Sequence, residues 1–324
     1  MTNENLKGTD LHVSPACFGT MTFGGQVKAQ AVATRMIDFC IDTGIKFFDT
    51  ANVYQQGASE EMLGEALRGR RRDKVVLASK VRGKMGEGGD ESGLSQAAVL
   101  RAVEESLRRL KTEYLDIYYL HQPDYGVPLE ETLEVMDRLV KQGKVRYPAS
   151  SNYSSWQVSR MLWLAENHDY KPALVSQQMY NLLARGLEQE FVPFAKEFGV
   201  SLVAYNPLAG GLLTGKHRGD AITSGTRFDK NTMYQERYWH QQTFSAVDNL
   251  RSIGEKAGRS LVSLSLNWLK HHTATDCVIL GASTQGQLEQ NVKAIAEGPL
   301  SEDVVKACDE VWSNLRGPLP VYNR

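Results

Sequence analysis

The sequence predicts an α/β fold, a (β/α)8 TIM barrel with extra helices and a long loop after strand 7. Three observations predict it. Short apolar runs alternate with runs of helical period almost to the end of the chain. The alternation yields eight strands, a number at which a parallel β/α sheet closes on itself. Finally, Asp49, Tyr54, Lys80 and His121 each follow an apolar run, where a barrel presents its C-terminal face and its chemistry.

The first strand is 16–19, short and apolar. After it, Val32, Met36 and Cys40 recur at helical spacing beside Ile37 and Ile41. The second strand is 46–49 and a short helix covers 60–68. The third strand is 74–78; Leu100, Val103, Leu107 and Leu110 then recur at threes and fours, an amphipathic helix. Strand 115–120 is followed by Leu129, Leu133, Met136 and Val140, a helix that stops at Gly143. Strand 145–150, helix 155–166, strand 173–177, helix 187–198 and strand 200–205 continue the series, and 277–280 is the eighth strand. Residues 206–242 lack periodicity and are rich in Gly, Pro, Asn and Thr. A loop of that length in a compact domain is usually functional, and it is expected to cover a ligand. Helical runs within 244–270 and at 302–312 exceed what a plain barrel requires. No shift in composition marks a boundary, so residues 1–324 read as a single domain.

Apolar content of 42% supports a substantial core, and a net charge of −1 gives no basic field for nucleic acid or an anionic membrane. The segment Met1-Thr2-Asn3-Glu4-Asn5-Leu6-Lys7 has no apolar stretch of the signal-peptide kind, and no apolar run is long enough to span a bilayer. Cys17, Cys40, Cys277 and Cys308 form no C-x-x-C pair and have apolar neighbours. They read as buried free thiols in a reducing compartment, the cytoplasm. The partner expected is a small molecule; monomer and homo-oligomer are equally compatible with the sequence.

Three motifs are set aside. Gly210-Gly211-Leu212-Leu213-Thr214-Gly215-Lys216 matches the first part of a phosphate-binding P-loop, but His217 stands where Ser or Thr is needed and no amphipathic helix follows. Its flexible backbone, free N–H groups and lysine still suit a diphosphate. No G-x-G-x-x-G lies between a strand and a helix, and Gly83 to Gly89 misses the spacing, so a Rossmann site is unsupported. No metal site is expected: His271 and His272 are adjacent, His217 and His240 lack a carboxylate or cysteine at ligand spacing, and H-E-x-x-H is absent.

Taken singly, His121 reads as a core histidine, Tyr54 as a surface aromatic and Lys80 as a strand-end charge. Together at three strand ends, with Asp49 beside them, they read as a tunable proton donor. A free tyrosine titrates near about 10, too high for easy exchange near neutrality. A neighbouring ammonium, Lys80, would stabilise the tyrosinate and lower that value. Asp49 would hold Lys80 charged and in place, and a neutral His121 would orient a carbonyl oxygen.

At these residues the chain resembles the aldo-keto reductase family over nearly its whole length. The motifs are Phe18-Gly19-Thr20-Met21, Phe48-Asp49-Thr50-Ala51-x-x-Tyr54, Lys80, Leu120-His121-x-Pro123-Asp124, Ser151-Asn152 and Gly281-Ala282-Ser283. The segment from Tyr205 to Lys216 looks most like the aflatoxin-aldehyde reductase branch, as do Arg237-Tyr238-Trp239, Gln287-Leu288-Glu289-Gln290-Asn291, Glu297-Gly298-Pro299-Leu300 and the tail Tyr322-Asn323-Arg324. That branch reduces aldehydes, some carrying a carboxylate, and prefers NADPH.

The resemblance implies reduction of aldehydes or ketones with NADPH, NADH being less favoured, the cofactor lying across the barrel mouth. It places the catalytic tetrad on Asp49, Tyr54, Lys80 and His121. Thr20 and Met21 would border the cofactor, and Ser151, Asn152 and Gln177 would hold the nicotinamide carboxamide. Tyr205 would stack on the nicotinamide ring. Asn206, Leu208, Gly210, Leu212 and Lys216 would line the diphosphate, with Arg227 near phosphate. Gly281, Ser283, Gln287, Gln290 and Asn291 would hold the adenosine end. Many members carry basic residues where Gln287 and Gly281 stand, which leaves Arg227 and Ser283 to contact the 2′-phosphate. Ala149 replaces a common glycine and adds a methyl near the nicotinamide.

For substrate, Phe23, Tyr125, Met21 and the long loop are candidates. Arg237 and Arg324 read equally as receivers of a carboxylate or as solvated charges. Two other readings share these residues: a sugar or alcohol dehydrogenase running toward oxidation, and a non-catalytic NADPH-binding redox sensor like some potassium-channel β subunits. The latter often depart from the tetrad histidine, which is His121 here.

Overall fold

The computed structural model describes residues 4–69, 72–219 and 221–318. An antiparallel hairpin, β1 (Glu4–Asn5) and β2 (His12–Val13), precedes the barrel. Eight parallel strands then close on themselves: β3 (Ala16–Gly19), β4 (Phe47–Asp49), β5 (Val76–Val81), β6 (Leu115–Leu120), β7 (Val145–Ser151), β8 (Val175–Met179), β9 (Ser201–Tyr205) and β10 (Cys277–Gly281). Each strand pairs with the next, and β10 closes the ring on β3 through Val278 opposite Ala16. The predicted (β/α)8 TIM barrel is the observed fold.

The two-residue period of the strands divides the core in two. Cys17, Phe47, Val76, Ala78, Ile117, Tyr119, Ala149, Val175, Val203 and Cys277 fill the barrel interior. Leu6, Leu11 and Val13, from the hairpin and its turn, join this cluster and plug the N-terminal end of the ring. The alternate residues, among them Phe48, Leu77, Tyr118 and Leu120, pack outward against the helices. The same parity puts Asp49, Lys80, His121 and Gln177 on the inward register, the first three at or next to the C-terminal ends of β4, β5 and β6 and Gln177 midway along β8. That placement is set by the apolar pattern of the strands, before any chemistry is considered.

The surrounding helices are α1 (Gln30–Asp42), α2 (Ala58–Ala66), α3 (Gln96–Leu110), α4 (Leu129–Lys141), α5 (Ser155–His168), α6 (Phe191–Glu197), α7 (Thr232–Tyr238), α8 (Gln241–Lys256), α9 (Leu261–His271), α10 (Gln285–Ile295) and α11 (Glu302–Arg316). Gly64 lets α2 and α3 cross closely: a Cβ there would lie 2.5 Å from the Arg109 carbonyl oxygen. The extra helices α8 and α11 pack against each other.

Four expectations are corrected. The third strand runs to Val81, so Lys80 lies inside it. The helix expected at 187–198 is a 3₁₀ turn, Gly186–Gln189, followed by the short α6. The stretch 206–242 contains a 3₁₀ turn, Ala209–Thr214, and α7, which buries Tyr234 and Tyr238 at helical spacing. Helix α10 after the eighth strand was not expected. All four cysteines are free and buried, and burial raises every thiol, to about 12 for Cys40 and Cys308. No helix among the described residues is long and apolar enough to cross a membrane.

Candidate active site

Lys80 lies fully buried at the end of β5. Its Nζ forms an ion pair with Asp49 Oδ1, donates to the Thr50 carbonyl at 2.7 Å and reaches Tyr54 Oη at 3.4 Å. Gln177 Nε2 donates to the other Asp49 oxygen at 2.9 Å. The carboxylate is therefore held on both sides and fixes the ammonium beneath the phenol. The Tyr54 ring stands edge-on to His121, centroids 5.8 Å apart at 79°. The four residues expected to act together do meet at the C-terminal mouth.

The segment carrying Tyr54 is anchored by hydroxyls. Ser59 Oγ lies 2.9 Å from both Thr20 Oγ1 and Thr50 Oγ1 and donates to the Thr20 carbonyl at 2.7 Å. On the outward face of β5, Ser79 donates to Glu60, a buried carboxylate that also accepts from Arg109 Nε at 2.7 Å. Removing either ion of that buried pair would leave its partner uncompensated.

The electrostatics differ from the sequence expectation at Tyr54. Burial pushes the phenol up, Lys80 pulls it down, and the net direction is upward. The lysine thus limits the rise rather than producing an acidic phenol. Burial also depresses Lys80, but Asp49 and Tyr54 outweigh it and hold the ammonium above its ordinary value. Burial, then Lys80 and Arg82, lower His121 from 6.5 to about 3.

His121 is therefore neutral near pH 7. The unfolded chain takes up this proton near 6.5 and the folded chain only near about 3. The stability tied to neutral His121 is full above the unfolded value and is lost as pH falls through this window. The imidazole NMR signals of His121 should show no titration between about pH 5 and 8. A midpoint near that of free histidine would remove the neutral-donor role.

The expected cofactor residues fall into two groups at the mouth. In the first, Asn152 (φ 61°) donates through Nδ2 to the His121 carbonyl at 2.9 Å and to Ser151 Oγ at 3.0 Å, and accepts from Tyr205 Oη at 2.7 Å. Gln177 belongs beneath this group, its amide nitrogen committed to Asp49. Asn206 Oδ1 accepts from the Gly210 amide at 2.6 Å, and its Nδ2 donates to Tyr238 Oη at 2.9 Å. The amides of Gly210, Gly211 and Leu213 all bond within this turn, so the free N–H groups expected there are largely used internally. Leu212 is buried and Leu208 partly exposed.

The second group gathers at α10. Thr284 caps its N-terminus, and Gln287 Oε1 accepts from the Ser283 amide and hydroxyl, each at 2.9 Å. Asn291 Nδ2 donates to the Gly281 carbonyl at 3.1 Å; Gln290 is exposed. Arg227 reaches across to Met21, with Nη1 3.1 Å from Sδ.

These residues fit a dinucleotide. Ala209, Gly210 and Gly211 all have positive φ, and a Cβ on Gly211 would lie 3.8 Å from Lys216 Nζ and 3.4 Å from His217 Nε2. Lys216 forms no ion pair among the described residues, and the buried His217 Nε2 has no partner. An exposed cation and an unsatisfied ring nitrogen beside a glycine turn suit a diphosphate. In the sequence His217 reads only as a mismatch to a P-loop and a poor metal ligand; its place beside the glycine turn comes from the fold.

The substrate candidates separate. Phe23 is fully buried and packs edge-on against Phe18 at 5.9 Å, so it belongs to the core and offers no surface to a substrate. Tyr125 is 86% exposed and lines a separate groove of about 430 Å³ with Tyr153 and Trp156. Arg237 is half-buried beside Tyr205, 5.8 Å from the Tyr234 ring, and pairs with no carboxylate among the described residues. Arg324 lies outside the described residues. No cluster of three or more metal-ligating side chains occurs among the described residues.

Sequence comparisons agree with this geometry. The aldo/keto reductase family model matches residues 15–313. Aflatoxin B1 aldehyde reductase member 2 of Homo sapiens is 36% identical, the match covering 94% of this chain and 88% of that protein. A probable voltage-gated potassium channel subunit beta of Arabidopsis thaliana is 33% identical over 94% of both chains. The uncharacterized oxidoreductase YrpG of Bacillus subtilis is 35% identical over 97% of both. With a closed eight-stranded barrel and a buried Asp–Lys pair beneath a tyrosine at its mouth, the chain belongs to the aldo-keto reductase family, oxidoreductases that act on carbonyls.

Proposed function

We propose that this protein reduces aldehydes or ketones to alcohols with NADPH, Tyr54 delivering the proton. The observation that carries this reading is the contact of Lys80 with both Asp49 and Tyr54, with His121 against the same phenol. When bound, the nicotinamide supplies hydride to the carbonyl carbon. Tyr54 Oη, protonated across the neutral range, gives its proton to the carbonyl oxygen. Lys80 stabilises the phenolate left behind, and Asp49 and Gln177 keep the ammonium from moving. Neutral His121 donates a hydrogen bond that orients the oxygen. Ser151, Asn152 and Tyr205 would hold the nicotinamide end, Lys216 and Arg227 the phosphates, and Ser283, Gln287 and Asn291 the adenosine end.

Arg237, uncompensated and next to Tyr205, would receive an anionic group on the substrate. Arg237→Gln is expected to raise KM for a carboxylated aldehyde by about tenfold and to leave a neutral aldehyde within about twofold. Equal effects on both would remove the anion site.

The test of the whole reading is NADPH consumption over a panel of aldehydes, ketones and sugars, repeated with NADH. Turnover on at least one carbonyl with NADPH supports it. Tight NADPH binding without turnover on any member would favour the redox-sensor reading, to which the channel-subunit relative lends weight.

A further inference from the structure

We infer that a cavity of about 240 Å³ beside the proton-transfer site is a second ligand site, built for a small hydroxylated carboxylate. It lies between the segment 52–56, the loop after β5 and one face of α3, and none of Asp49, Tyr54, Lys80 or His121 lines it.

Most of its charged lining is already paired. Arg101 bonds both oxygens of Asp90, at 3.0 and 3.1 Å, and also Glu91. Arg109 holds Glu60 and, at 3.2 Å, Glu105. Two polar atoms are left over. Asn52, only 2% exposed, has a buried Oδ1 and Arg82 a buried Nε, neither with a partner among the described residues. Both residues line the cavity, and Arg82 forms no ion pair among the described residues. Both orphan atoms belong to residues that wall the cavity, and a buried acceptor and a buried cationic donor without partners are costly unless something reaches them.

Arg82 is also held at φ 135°, a conformation that side chains rarely adopt. Such strain persists where the surrounding structure imposes it, often at ligand sites. Here the backbone is pinned: the Arg82 carbonyl accepts from the Gly93 amide at 3.0 Å, and Val81, the residue before it, accepts from the His121 amide at 2.9 Å.

The two orphans define the ligand. Arg82 Nε needs an acceptor, and the guanidinium charge favours an anionic one over water; Asn52 Oδ1 needs an O–H or N–H donor. A small molecule with a carboxylate at one end and a hydroxyl at the other meets both. The volume suits only a small compound. The carboxylates around the cavity, although paired, disfavour a dianion, so a carboxylate is preferred to a phosphate. The Asn52 amide donates to the Lys80 carbonyl at 3.2 Å, so the wall of this cavity is continuous with the segment joining Lys80 to Tyr54.

Isothermal titration and thermal denaturation of the full chain with glycerate test this. Glycerate should titrate one site, while propionate, lacking the hydroxyl, and inorganic phosphate should each bind about tenfold more weakly or worse. Arg82→Gly removes the guanidinium and relieves the positive φ. Its ligand-free Tm should stay equal or rise while the glycerate response disappears. Arg82→Gln should lose the response as well. Because Arg237 is another anion receiver, the titration is repeated in Arg237→Gln, where the response should persist. No glycerate binding, a response that survives both Arg82 changes, one that vanishes only in Arg237→Gln, or phosphate binding more tightly than glycerate would each overturn the proposal.

Discussion

Tyr54→Phe is expected to lower kcat for carbonyl reduction by about 10²- to 10⁴-fold, the range for loss of a positioned acid. NADPH affinity, read by fluorescence quenching, should change little. The reasoning is geometric. The substitution removes one oxygen and keeps the ring that stands 5.8 Å from His121. Lys80 retains Asp49 and the Thr50 carbonyl, so no buried charge loses its chief partner. The fold should therefore be intact and the loss confined to proton delivery. Turnover within about threefold of the unaltered protein would mean that water or another group supplies the proton.

The direction of the Tyr54 shift sharpens this expectation. A phenol raised by burial and only partly drawn down by Lys80 stays protonated near pH 7. That state is ready to give a proton and not to take one. Alcohol oxidation, which needs the phenolate as base, should accelerate as pH rises, whereas reduction should be flat through neutrality until Tyr54 begins to ionise. A matched pH profile in both directions would argue against Tyr54 as the shared group.

The residues legible in the sequence were those set by strand period. Phe47, Phe48 and Asp49 alternate inward and outward, as do Ala78, Ser79 and Lys80, and the inward member at each strand end is a candidate site residue. A two-residue strand carries no such period, so the hairpin that plugs the barrel could not be read from Glu4–Asn5 and His12–Val13. Helix α10 carries a helical period in Leu288, Val292 and Ile295, at four and three, but its start at Gln285 is polar and obscures it. Phe23, a candidate for the substrate pocket, sits in a turn that folds back onto Phe18 and buries it. Gln177 shows the deeper limit. Its strand and inward register follow from pattern, but its bond to Asp49 depends on closing the ring between residues 128 positions apart. Burial of Tyr54, which reverses the expected shift, is likewise a property of the closed fold.

Lys80→Met should produce a double loss that separates stability from chemistry. Lys80 is 0% exposed and the Asp49 side chain 4%, so deleting the ammonium strands a carboxylate in a place water does not reach. Breaking a buried pair on one side costs about 3–5 kcal/mol, which denaturant unfolding would detect. Adding Asp49→Asn removes the stranded charge, leaves an amide that still accepts from Gln177, and should restore much of that stability. Activity should not return, because nothing then draws the phenol of Tyr54 down against its burial. In both variants the oxidation profile should move to higher pH and kcat should stay at least about a hundredfold low. Recovery of rate together with stability in the double variant would show that Lys80 serves the fold alone, and the proton-transfer role would pass to another group.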